Sequence, residues 1–151
     1  MKYLFTYPEK CTGCRQCSIA CALKKLGECN PKKGAINVLR DEFDRYELQF
    51  VCLQCEEPEC VAVCMVKAIT RGDDGIVRID PEKCIGCRMC VIACPYGAIT
   101  SFGGDIIKCD LCDGDPVCIK FCSTDALVYE EENEEILDRR KELAKLLLKK
   151  E

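Results

Sequence analysis

The sequence predicts an α+β fold assembled from a duplicated, cysteine-rich unit. Three observations carry this. Seventeen of the 151 residues are cysteine, far above the usual share. Residues 8–21, PEKCTGCRQCSIAC, return at 81–94 as PEKCIGCRMCVIAC, identical at 11 of 14 positions. Short β-type runs alternate with short helical stretches and turn residues, with no long element among them before the tail. The hydrophobic share is 48% with cysteine counted and about 37% without it, thin for a core of this size. Something besides side-chain packing must help hold the fold, in one compact domain or two small ones.

Residues 2–7 (KYLFTY) read as an N-terminal strand. The first repeat follows, with a short helix over Arg15–Leu23. Asn30-Pro31-Lys32-Lys33-Gly34 is a turn signal, after which AINVLR (35–40) and YELQFV (46–51) read as strands around an acidic turn, Asp41 to Arg45. A second, looser pair of motifs then appears: CLQCEEPECVAVC at 52–64 and CDLCDGDPVCIKFC at 109–122, each CxxC, an acidic patch with proline, then CxxxC. The order along the chain is A, B, A′, B′. Thirty residues separate A from B and 14 separate A′ from B′, so the first copy carries about one hairpin more. GIVRI (75–79) reads as a strand after the Gly72-Asp73-Asp74-Gly75 turn, and Arg88–Ala93 as a short helix. Past the last cysteine of three motifs comes a small signature, KAIT (67–70), GAIT (97–100) and DALV (125–128), each suited to a short strand.

The tail differs in kind. EEENEE (130–135) is an acidic run, and Glu134 to Lys150 is strongly helical in composition. Ile136, Leu143 and Leu147, with Leu137, Ala144 and Leu148, share one stripe. The lysines of the last turns complement the helix dipole. This helix either packs on its own domain or docks on a partner; the sequence supports both.

Composition excludes several functions. Histidine is absent, so His-based triads, His–zinc sites and His-ligated haem are out. A formal charge of −4 argues against general nucleic-acid binding. Before Cys11 there is neither an apolar signal segment nor a twin-arginine pair, and no apolar run is long enough to span a membrane. The expected location is the cytoplasm, where structural disulfides are rare. An odd number of cysteines also leaves a thiol unpaired. Metal ligation is the better use of them.

Sixteen cysteines fall into four quartets: Cys11, Cys14, Cys17 and Cys21; Cys52, Cys55, Cys60 and Cys64; Cys84, Cys87, Cys90 and Cys94; Cys109, Cys112, Cys118 and Cys122. The first and third are C-x2-C-x2-C-x3-C, and Pro95 follows Cys94: the bacterial [4Fe–4S] signature. Three cysteines on a tight loop can reach three irons of one cubane, and Gly13 and Gly86 relax the backbone where it wraps. The fourth is carried off by a helical segment and serves a second cluster, so clusters pair by exchanging a ligand. Four quartets imply four [4Fe–4S] clusters. Zinc sites usually close one tetrahedron from two separated CxxC pairs, whereas here three ligands fall within seven residues; zinc and a disulfide scaffold stand as alternatives. Cys29 lies outside every quartet and reads as a free, part-buried thiol, with ligation as the other option. Lys10, Arg15, Lys83, Arg88 and Lys108 flank the ligands, either as solvated charge or as cations that raise reduction potential.

Over about residues 3–129 these motifs resemble the four-cluster ferredoxin-type subunits of molybdopterin and tungstopterin oxidoreductases. Related subunits serve formate dehydrogenases, hydrogenases and carbon monoxide dehydrogenase. The resemblance implies nested pairing, motif I with IV and II with III. Cys11, Cys14 and Cys17 would join Cys122, and Cys109, Cys112 and Cys118 would join Cys21. Cys52, Cys55 and Cys60 would join Cys94, and Cys84, Cys87 and Cys90 would join Cys64. Cys21, Cys64 and Cys122 lack the following proline. The chain is short for that family and looks most similar to polyferredoxin subunits paired with tungsten aldehyde ferredoxin oxidoreductase-type enzymes of anaerobes.

The resulting expectation is two interleaved ferredoxin-like modules, a central one over about 52–100 and an outer one from 1–51 and 101–129, with an acidic linker and amphipathic helix at 130–151. The chain would be a non-catalytic subunit relaying single electrons between a catalytic oxidoreductase subunit and a soluble ferredoxin or another redox protein. A free-standing polyferredoxin is the alternative, and a zinc-binding interaction module the remote one. Four oxidised clusters with their thiolates would bring the net charge to roughly −12.

Overall fold

The computed structural model describes residues 1–40, 47–134, 137–138, 141–142 and 145. Its elements run β1 (Lys2–Thr6), α1 (Gln16–Leu26), β2 (Asn37–Arg40), β3 (Glu47–Phe50), α2 (Glu59–Ala62), β4 (Ile69–Arg71), β5 (Val77–Ile79), α3 (Met89–Ala93), β6 (Ile99–Phe102), β7 (Asp105–Lys108), α4 (Val117–Lys120) and β8 (Leu127–Glu131). Short 3-10 turns sit at Pro8–Lys10, Pro31–Lys33 and Leu111–Gly114.

Every sheet among these residues has two strands. β2–β3, β4–β5 and β6–β7 are antiparallel hairpins. Turn chemistry sets them: Asp74 Oδ1 accepts from Ile76 N at 3.0 Å between β4 and β5, and Gly103 and Gly104 take φ of 61° and 99° between β6 and β7, as two-residue hairpin turns demand. β1 has no sequence neighbour to pair with. It pairs antiparallel with β8, Leu4 opposite Tyr129, so the two ends of the described fold close on each other. Isolated two-stranded ribbons are marginal in water, so the hairpins depend on what packs between them.

Two core clusters do that packing, and both contain cysteine. One joins Leu4, Ile36, Val38, Val51, Ile107, Leu111 and Leu127 to Cys17, Cys21, Cys109 and Cys118. The other joins Ile69, Val77 and Ile99 to Cys60 and Cys90. The buried cysteines of the first come from the first and last motifs, with Cys52 of the second motif packed against them, and those of the second come from the middle two. Helix packing follows the same order: α1 lies against α4, and α2 against α3.

Expected strands and helices are present with small shifts of boundary. Arg15 and Arg88 are N-caps in left-handed conformation, φ 59° and 64°, so each helix begins one residue later than the sequence suggests. α1 runs on to Leu26, where Gly27 caps it, its N–H donating to Leu23 O at 3.0 Å. α2, α4 and β7 are additions; four residues are too few to display a period. Glu130 and Glu131, read as linker, belong to β8 opposite Tyr3 and Lys2. In the tail, residues 134, 137, 138, 141, 142 and 145 are helical, and Lys141 pairs with Asp138 at 3.2 Å. The apolar stripe of Ile136, Leu143, Ala144, Leu147 and Leu148 lies outside the described residues, as does the Asp41–Arg45 turn. No helix among the described residues is long and apolar enough to cross a membrane.

Candidate metal centre

One backbone device recurs in all four cysteine motifs. Two residues after the first cysteine the chain turns left-handed: Gly13 (φ 68°), Gln54 (φ 50°), Gly86 (φ 68°) and Leu111 (φ 55°). In three motifs the N–H of that residue points back at the first thiol, Gly13 to Cys11 Sγ at 3.4 Å, Gln54 to Cys52 Sγ at 3.5 Å and Leu111 to Cys109 Sγ at 3.4 Å. Glycine takes this turn freely. Gln54 and Leu111 are strained there and are held by their surroundings. Leu111 is fully buried. The Gln54 amide donates to Cys109 O at 3.0 Å and accepts from Val77 N at 2.9 Å. A second left-handed residue three positions past the fourth cysteine, at Lys67, Gly97 and Asp125, releases three of the motifs into their strands. Those are the first residues of KAIT, GAIT and DALV. Amides also reach the fourth cysteines, Ala68 N to Cys64 Sγ and Ala35 N to Cys21 Sγ, both at 3.3 Å.

The loops bring thiols of different motifs together. Cys52, Cys55, Cys60 and Cys94 line one cavity with Leu53, Pro58, Ala98 and Ile99. The Cys60 thiol feels Cys52, Cys94 and Cys55. Cys118 feels Cys109, Cys21 and Cys112 most among its cysteine neighbours. Cys17 sits beside Cys11 and Cys14, and Cys90 beside Cys84 and Cys87. Cys122 packs on the core cluster of Cys17, and Cys64 on that of Cys90. Cys29 is exposed, not part-buried as its sequence context suggests.

Burial pushes the Cys17 and Cys60 thiols up to about 11 and Cys109 to about 12. Cys118, Cys21 and Cys90 are raised for the same reason. Cys122 alone moves down: burial opposes it, but Thr124 and backbone amides bond its sulfur. Thiols buried like this carry a proton unless a metal replaces it, which deprotonates a coordinating thiol outright.

The donor set tests what that metal is. It is all sulfur, which selects zinc, copper(I) or iron–sulfur clusters. Among the described residues, no three Cys, Asp or Glu side chains converge on a point that would hold a single ion; Cys52, Cys55, Cys60 and Cys94 line a cavity instead. Glu47 packs its carboxylate against the Cys11–Cys14 loop, 2.6 Å from where a Cβ on Gly13 would stand. Gln49, two residues along β3 and so on the same face, is 1% exposed, and both of its amide atoms lack a partner among the described residues. A sulfide-bearing cluster fits this setting: it fills a volume and offers the acceptors that a lone ion does not.

The flanking cations divide. Lys10, Arg15, Lys83 and Arg88 are exposed, as solvated charge should be. Lys108 is 6% exposed and bonds Cys52 Sγ at 3.1 Å. Sequence reasoning missed the ion pair of Lys25 and Asp110 at 2.6 Å, which ties α1 to the Cys109 loop. Burial opposes both charges, yet their mutual bond holds the Asp110 carboxyl below and the Lys25 ammonium above its ordinary value. No local pattern announces a pair so distant in sequence.

Comparison with known proteins agrees with this donor set. Residues 43–132 match the model of the 4Fe-4S dicluster domain, and residues 8–24 match a 4Fe-4S binding domain. The chain belongs to the 4Fe-4S dicluster family. It is 35% identical over 123 residues to the polyferredoxin-like subunit of aliphatic sulfonate oxidoreductase from Pyrococcus furiosus, covering 80% of this chain and 70% of that one. Electron transport protein HydN of Escherichia coli is 32% identical over 158 residues, covering 87% and 89%. At 36% identity over 127 residues the chain matches subunit beta of NADH-dependent phenylglyoxylate dehydrogenase from Aromatoleum evansii, covering 81% of this chain and only 28% of that longer one. Among solved structures, the active site complex BamBC of benzoyl coenzyme A reductase aligns over 99% of this chain and 91% of that one, with TM-score 0.50 and 27% identity. These relatives are named for electron transport or as subunits of oxidoreductases, and the chain is an electron carrier of that kind rather than a catalyst.

Proposed function

We propose that the chain carries four [4Fe–4S] clusters and relays single electrons between a catalytic oxidoreductase subunit and a soluble ferredoxin or another redox protein. The observation that carries this is the fourfold recurrence of one left-handed cysteine loop. Each loop supplies three ligands and the nested partner supplies the fourth: Cys11, Cys14 and Cys17 with Cys122; Cys109, Cys112 and Cys118 with Cys21; Cys52, Cys55 and Cys60 with Cys94; Cys84, Cys87 and Cys90 with Cys64. Support for the nesting comes from the cavity shared by Cys52, Cys55, Cys60 and Cys94, the Cys118–Cys21 interaction and the packing of α1 on α4 and α2 on α3. The modules are then a central one over about 52–100 and an outer one from 1–51 and 101–129.

When bound, each cluster takes up and gives back one electron. The chain's own residues do the rest. Left-handed amides hold the sulfurs, Leu53, Ile69, Val77 and Ile99 keep water from the inner pair, and the loops fix the spacing along the relay. The catalytic partner is a molybdopterin or tungstopterin subunit, of the tungsten aldehyde oxidoreductase type on the sequence resemblance; the Pyrococcus relative is by name a polyferredoxin-like subunit of a sulfonate oxidoreductase, which supports a catalytic partner. Anaerobic coulometric titration tests the relay. About four electrons should enter per chain, one per cluster, and pass on to an added bacterial ferredoxin. Uptake of two or fewer, or none passed on, contradicts it.

A further inference from the structure

We propose that Lys108 is a buried positioning charge at the seam between two cysteine quartets, raising the reduction potential of the group held by Cys52, Cys55, Cys60 and Cys94 so that an electron entering the chain rests there first. This rests on the four-cluster reading.

Lysine is almost never buried unless its charge is met. Lys108 ends β7, immediately before Cys109, and only 6% of it is exposed. Its ammonium has three hydrogens and three acceptors: Cys52 Sγ at 3.1 Å, Val77 O at 2.8 Å and Cys109 O at 3.0 Å. None of these is a carboxylate. The one acceptor that can carry full negative charge is the Cys52 sulfur, as the thiolate that ligates metal.

The backbone groups that receive the ammonium are themselves held in place. Gln54 binds the same two residues, donating to Cys109 O at 3.0 Å and accepting from Val77 N at 2.9 Å. Its own N–H points at Cys52 Sγ. Cys52 thus receives a charged and a neutral donor. Cys109, in the other quartet, receives the lysine on its carbonyl and only a neutral amide on its sulfur. A cation and hydrogen bonds at cluster sulfur favour the reduced, more negative form. The effect is strongest where the bond is to sulfur, and that is the Cys52 group. The four cations that flank ligands in sequence are exposed and screened. Lys25, whose field reaches Cys109 and Cys21, is paired with the Asp110 carboxylate at 2.6 Å and hydrogen-bonds no cysteine sulfur among the described residues.

The test is an EPR-monitored redox titration of the anaerobic holoprotein, wild type against Lys108→Met, Lys108→Gln and Lys108→Arg. Iron and sulfide are counted first. A wild type without clusters defeats the four-cluster reading itself; a loaded protein leaves that reading standing and tests Lys108 alone. In Lys108→Met and Lys108→Gln one midpoint should move negative, by at least a tenfold change in its reduced-to-oxidised ratio, 59 mV for one electron. The signal that moves should be the one missing from Cys60→Ser, and Lys108→Arg should restore it. Equal shifts of every signal, no shift, or no rescue by arginine would overturn the proposal. Should both neutral variants fail to load, the wild type decides. With 15N at lysine Nζ, the reduced cluster should show a hyperfine coupling to lysine nitrogen, and its absence would overturn the proposal equally.

Discussion

Cys60 and Cys94 belong to different cysteine motifs, yet they line the same cavity, and each thiol lies in the other's field. Cys94 follows directly on α3, whose own cysteine, Cys90, sits instead with Cys84 and Cys87. On the proposed pairing, a helical turn carries two ligands of one motif to two sites. Cys94→Ser should damage the group of Cys52, Cys55 and Cys60 and spare that of Cys84, Cys87 and Cys90. In EPR spectra of the reduced protein, the signal lost should match the one lost in Cys60→Ser. A match with Cys90→Ser would show that no ligand is exchanged.

Gly13 and Gly86 occupy equivalent turns with the same φ of 68°, but they face different neighbours. A Cβ on Gly13 would meet the end of the Glu47 side chain, which can swing aside. On Gly86 it would stand 2.7 Å from the Gly104 carbonyl oxygen, in the backbone of the β6–β7 turn. Both alanine variants suffer the left-handed strain of about 1–2 kcal/mol. Gly86→Ala must also push the hairpin off its loop, so it should cost clearly more than Gly13→Ala. Urea midpoints of the anaerobic holoproteins compare the two, and equal losses would contradict the packing described.

The Lys25–Asp110 pair supplies a pH-dependent prediction. Lys25→Met leaves a half-buried carboxylate beside Cys109 without its cation, costing about 1–3 kcal/mol at neutral pH. In the wild type the Asp110 pKa is depressed, so the stabilisation is present above the unfolded carboxyl value and lost as pH falls through the folded one. In the variant the Lys25 bond is gone, and burial, which favours the protonated form, is opposed only by backbone amides such as Cys112 N, 3.0 Å from Asp110 Oδ1. The gap between wild type and Lys25→Met should therefore narrow from neutral to mildly acid pH. Unfolding midpoints at the two pH values check it; a constant gap would mean that the loss is one of packing alone.

What the sequence made legible was what local pattern can carry. The cysteine spacing announced the four cysteine loops, and the turn residues and β-type runs announced the hairpins. Two kinds of feature stayed hidden. Elements of four residues, such as α2 and α4, are shorter than any period that would reveal them. Buried polar contacts between distant segments, such as Lys108 on Cys52 and Gln54 on Cys109, depend on the fold and leave no local signature. Gln54 and Leu111 show why: each stands where the repeat elsewhere has glycine, and only their burial explains how they tolerate the turn. Lys108 was visible as one of five cations beside ligands, but its burial was not.

Iron and acid-labile sulfide per chain, measured with zinc after strictly anaerobic purification, test the four-cluster account most directly. The account predicts about 16 irons and as many sulfides per chain. Half that number would reduce it to a two-cluster protein, and substantial zinc without sulfide would contradict it outright.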